Sequence, residues 1–86
     1  MSMIGKIVRS TSGRDKGTYL AVIGETGDLL ILANGRQRKL ENPKHKKPKH
    51  VEFLNKEVTE SAKCAVQNMT VTNKKLYRAI KESLNS

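Results

Sequence analysis

Gly13-Arg14-Asp15-Lys16-Gly17 stands between two apolar runs of β type, Gly5-Lys6-Ile7-Val8-Arg9-Ser10 before it and Thr18-Tyr19-Leu20-Ala21-Val22-Ile23 after it. Two glycines four apart around three charged residues predict a sharp reversal, because glycine takes positive φ without steric cost. The reversal joins two strands and leaves Arg14 and Lys16 on an exposed tip. Glu25-Thr26-Gly27-Asp28 then has the composition of a turn, and Leu29–Ala33 reads as the next strand. From Leu29 to Leu32 every position is apolar, which requires cover on both faces of the sheet. The C-terminal segment is the natural cover.

Asn34-Gly35 is the strongest local turn signal, since a two-residue type I′ hairpin needs positive φ at both positions. It predicts that residues 36–40 run back antiparallel, with Ala33 facing Arg36, Ile31 facing Arg38 and Leu29 facing Leu40. Arg36 and Arg38 then reach out at the rim. Asn42, Pro43 and Pro48 argue against regular structure through most of residues 41–50. Val51-Glu52-Phe53-Leu54 alternates in part and reads as a closing strand. Short strands with tight turns over some fifty residues point to a mainly β fold, a small SH3-like barrel of about five strands.

In residues 55–71, Val58, Ala62, Val66 and Met69 fall near helical spacing, so this linker has room for a short helix. Beyond it, Leu76, Ile80 and Leu84 recur every fourth residue, while Lys74, Lys75, Arg78 and Lys81 lie largely off that stripe. Thr72 or Asn73 supplies a cap. A C-terminal helix over Asn73–Leu84, packed on the barrel, follows. The expected organisation is one domain over 1–86: barrel and basic loop over 1–54, linker over 55–71, helix over 72–86.

The chain has 86 residues, 36% hydrophobic and 29% charged, with a net charge of +9. Such an excess of positive charge repels itself in a compact state, and a polyanion relieves it. The charge is uneven: Arg36, Arg38, Lys39, Lys44, Lys46, Lys47 and Lys49 are opposed within their stretch by Glu41 alone. Arginine holds phosphate oxygens bidentately and lysine as a point charge, so this arm and the Arg14–Lys16 tip predict one RNA-binding face. The competing reading is a solvated basic loop or a localisation signal.

Tyr19, Phe53 and Tyr77 are the aromatic residues, and all fall in segments expected to pack. That favours contacts to the backbone and shape of folded RNA over base stacking. Cys64, His45 and His50 make no recognised zinc spacing, and no paired carboxylates or phosphate-cradling loop appear. A non-catalytic protein with no cofactor and no metal is expected. One cysteine fits a reducing, cytoplasmic compartment, no run approaches the length of a membrane span, and the N-terminus lacks a secretory signal.

Gly5-Lys6-Ile7-Val8, Gly13-Arg14-Asp15-Lys16-Gly17 and the strand after it resemble the KOW motif of ribosomal proteins and bacterial transcription elongation factors. With Asn34-Gly35-Arg36, Arg38-Lys39, Pro43-Lys44 and Lys49-His50, residues 5–54 resemble the family of the eukaryotic large-subunit ribosomal protein fourteen. They look closest to its small bacterial KOW relatives. The resemblance implies an SH3-like barrel that binds ribosomal RNA. In it Gly13 and Gly17 shape the motif loop, and Arg14, Lys16, Arg36, Arg38, Lys39, Lys44 and Lys49 are the matching basic positions. A protein that associates with the large ribosomal subunit, monomeric when free, is the expected function. The alternative is a module that docks on proteins of the transcription or translation machinery through a barrel edge or the helix stripe.

Overall fold

Each apolar run becomes a strand, and the glycines set where the strands turn. The computed structural model describes residues 3–85; residues 1, 2 and 86, the ends of the expected domain, lie outside the described residues. β1 (Lys6–Ser10) and β2 (Tyr19–Thr26) pair antiparallel, with Ile7 opposite Ala21 and Arg9 opposite Tyr19. Between them Gly13 and Gly17 take φ of 81° and 89°. β2 passes into β3 (Leu29–Ala33) through Gly27-Asp28, where Thr26 faces Leu29. Gly27 alone has positive φ there, the pattern of a type II′ hairpin.

The hairpin expected at Asn34-Gly35 does not form, and residues 36–40 are not a strand. The partner of β3 is β4 (Lys44–Lys46), inside the stretch expected to be irregular; Leu32 faces Lys44 and Leu30 faces Lys46. Asn34 spends its side chain on a turn of another kind. Its Oδ1 accepts from the Arg36 and Arg38 N–H groups at 2.9 and 3.0 Å, an Asx-type arrangement. Gly35 has φ of 80° and lies so close to the Asn73 carbonyl that a Cβ would collide with it. Glycine stands there for close approach to a helix, not for a hairpin.

A single 3-10 turn over Pro48–His50 leads into β5 (Val51–Glu57), which pairs with the free side of β1, Ser10 opposite Val51 and Lys6 opposite Glu57. The boundary expected at residue 54 therefore falls inside a strand. The antiparallel sheet has the order β4-β3-β2-β1-β5. The expected linker also holds a formed helix, α1 (Glu60–Gln67), capped by Thr59 accepting from the Ala62 N–H. α2 (Asn73–Leu84) has the predicted bounds, and Thr72 caps it by accepting from the Lys75 N–H. No helix among the described residues is long and apolar enough to cross a membrane.

The sheet is buried on both faces. Alternate residues send Val8, Leu20, Val22, Leu30, Leu32 and Val51 into one cluster. Their neighbours Ile7, Ala21 and Ala33 meet Val58, Val66, Leu76, Ala79 and Ile80 on the other face. The helices thus cover the outer face, as the unbroken apolar run of β3 demands. The sheet is also curled. In a flat sheet β4 and β1 stand three strand spacings apart, about 14 Å. Yet Lys46 Nζ of β4 donates to Ser10 Oγ of β1 at 2.7 Å.

Candidate nucleic-acid interface

The antiparallel registers bring two loops to one end of the sheet. Residues 11–18 join the end of β1 to the start of β2, and residues 34–43 leave the end of β3 beside them. Both loops are fastened by buried or half-buried polar groups. Asn34 is buried, and its Nδ2 donates to the Tyr19 carbonyl at 3.1 Å and to Gln37 Oε1 at 2.9 Å. On the far side of the loop, Asn73 of α2 accepts from the Leu40 N–H at 2.7 Å and donates to Glu41. The Asn73 bond holds the exposed Glu41 carboxyl below its ordinary range.

Lys46 fastens the glycine-bracketed loop. It faces Leu30 in the register, so its side chain enters the inner face of the sheet, where it is 7% exposed. Its ammonium meets Asp15 Oδ1 at 2.9 Å, Ser10 Oγ at 2.7 Å and the Ser12 carbonyl at 2.6 Å. Those three contacts use all three of its donors. Lys46 was expected among the RNA-binding cations; it has no donor left for a phosphate and is removed from that set. Burial pushes the Asp15 carboxyl up, but hydrogen bonds from Lys46 and Ser10 and the Lys46 charge outweigh this and hold it below its ordinary value. Asp15 Oδ2 remains buried without a hydrogen-bond partner. Asp15 is therefore turned inward as the anchor of the loop, while Arg14 and Lys16 stay on its exposed tip as expected.

The remaining expected cations divide. Arg14, Lys16, Arg36 and Lys39 are exposed, and Arg38 and Lys44 half-buried, all on or beside the two fastened loops. Lys47 and Lys49 are also exposed but line a different recess, with Glu25 and Asp28 of the β2–β3 hairpin. The continuous arm of the sequence thus becomes two groups, one of them beside carboxylates. Gly13 and Gly17 shape the loop as expected, both at positive φ.

Three residues at this end were not anticipated. The Arg36 guanidinium lies 4.4 Å from the centre of the Tyr77 ring, and Lys81 Nζ lies 5.7 Å from it. Tyr19, expected in the core, is 42% exposed; outside this group, Phe53 of β5, also expected to pack, is 39% exposed. Tyr19 points to the helix-covered face, in step with Ala21, but there it borders an open recess beside Tyr77, Ile80, Lys81 and Leu84 of α2. The available signal was the spacing Tyr77-Lys81, one helical turn along the polar margin of α2. Cys64 is exposed on α1, His45 and His50 are exposed, and no three His, Cys, Asp or Glu side chains gather among the described residues.

Set against protein-family models and curated proteins, the chain gives no match.

Proposed function

We propose that this chain is a non-catalytic RNA-binding protein of the KOW type, acting on ribosomal RNA of the large subunit. In this reading the curled sheet is a small SH3-like barrel, the protein works in the cytoplasm, and it is monomeric when free. One observation carries the reading: the loop bearing Arg14 and Lys16 and the loop bearing Arg36, Arg38 and Lys39 leave the same end of the sheet, each fastened by its own polar anchor. Cations on anchored loops lose less conformational entropy on meeting a phosphate backbone than cations on a free tail.

The test is sedimentation of the tagged protein from cells at low and high salt, with RNA affinity measured over the same range. Co-migration with large subunits is the expected result. Five or six phosphate contacts give log affinity against log salt a slope of roughly −4 to −5. Neutralising Arg36, Arg38 and Lys39 flattens that slope; an unchanged slope takes them off the binding surface. The alternative, a protein-docking module, loses one of its two surfaces, since Leu76, Ala79 and Ile80 of the helix stripe are buried on the sheet. Association that survives ribonuclease would favour what remains of it, the strand edges.

A further inference from the structure

Between the start of β2, the Asn34 loop and α2 lies a recess of about 320 Å³, lined among others by Tyr19, Asn34, Gln37, Tyr77 and Lys81. That volume is at the small end of ligand sites, roughly 300–1,000 Å³, and suits one planar ring system better than an extended ligand. We propose that this recess seats one unstacked nucleobase, with Tyr19 as the stacking surface and Gln37 facing the base edge. The proposal deepens the RNA-binding reading and rests on it.

The chemistry of the lining points to a base. Tyr19 is 42% exposed, and alternation along β2 aims it at the side where α2 runs. A second aromatic ring, Tyr77, lines the same recess and itself carries the Arg36 guanidinium 4.4 Å from its centre. Aromatic faces and arginine planes are the usual supports for bases splayed out of an RNA fold. The polar groups are oriented as well. Asn34 Oδ1 is taken by two backbone N–H groups, so its Nδ2 must be the atom facing Gln37. Gln37 therefore turns its oxygen to Asn34 and its NH2 group outward. With Lys81 also a donor, the rim suits ring nitrogens and carbonyl oxygens, the pair that guanine offers as N7 and O6. Phosphate alone would need the cations and would leave Tyr19 and Gln37 without a role.

The experiment is an NMR titration of the full chain with guanosine 5′-monophosphate and, separately, ribose 5-phosphate. The nucleotide is expected to move the Tyr19 and Tyr77 ring signals and the Gln37 side-chain amide, and ribose 5-phosphate to leave the Tyr19 ring in place. Equal shifts from both, or a Tyr19 ring that moves with neither, overturn the proposal. In parallel, Tyr19→Ala and Tyr19→Phe are compared for binding a single-stranded oligoribonucleotide. The alanine variant should bind roughly 5- to 100-fold more weakly and the phenylalanine variant much as the parent, with the salt slope unchanged in both. Full affinity in Tyr19→Ala would remove the base site and leave the phosphate-binding face standing. Nucleotide shifts without any salt-dependent RNA binding would sink the RNA reading and leave a nucleotide recess.

Discussion

At Asp15 one carboxylate decides whether the glycine-bracketed loop is held or free. Its oxygen neutralises a lysine that the fold has drawn inside, and breaking such a buried pair from one side costs about 3–5 kcal/mol. Asp15→Ala should lose about that much in urea denaturation. The pH dependence follows from the lowered carboxyl value. The group is ionised in both folded and unfolded chains well above its ordinary value of 3.8. The stabilisation is then fully present, and it is lost as pH falls through the folded value. Stability of the parent should drop on acidification below about pH 4, while Asp15→Asn should start lower and show a shallower drop. Parallel curves for the two proteins would mean that the Asp15 carboxyl is not held ionised by Lys46.

Among the elements, α1 shows a strained end. Its last turn closes with the Thr70 N–H on the Ala65 carbonyl at 2.8 Å and the Met69 N–H on the Val66 carbonyl at 3.1 Å. This is a Schellman ending, whose left-handed position is usually glycine. Here it is Met69, at φ of 58° and 91% exposed. Met69→Gly should raise stability by about 1 kcal/mol, a rise of roughly 4–8 °C in melting temperature for a domain of this size. A fall instead would show that the methionine side chain gains more against Ile23, Leu40 and Val66, its neighbours in a shallow apolar recess, than the backbone loses. The two helices also differ in how far their sequences announce them. α2 carries three leucine or isoleucine residues at four-residue spacing and a threonine cap. α1 has eight residues, one of them buried, and an isolated helix of that length is not stable in water. It forms because Val66 and its neighbours have a sheet to lie on.

Over the whole molecule, the curl of the sheet sorts the cations that the chain carries in one run. If RNA meets the end where the two anchored loops emerge, Arg14→Gln with Lys16→Gln should flatten the salt slope by roughly 1.4–1.8, about 0.7–0.9 per lost contact. Lys47→Gln with Lys49→Gln should flatten it less, because that pair sits beside Glu25 and Asp28. Filter binding at four or more salt concentrations measures both, and the reverse order would put the RNA on the Glu25–Asp28 side.

Local patterning by itself determined the apolar runs that become β1, β2, β3 and the start of β5, the glycine-shaped loop at 13–17, and α2 with its cap. Each is a matter of neighbours within a few residues: side-chain periodicity, the φ freedom of glycine, a hydroxyl beside an exposed N–H group. The tertiary structure alone decided what Asn34-Gly35, Lys46 and the tyrosines do. Asn-Gly suits a hairpin in isolation, yet here α2 passes close enough that Gly35 is needed for contact and Asn34 for holding the loop. Lys46 looks like its neighbours in a basic run, and only strand register turns it inward to Asp15, thirty-one positions away. How far Tyr19 is covered depends on how closely a helix from the other end of the chain lies against the start of β2, and no local pattern encodes that distance.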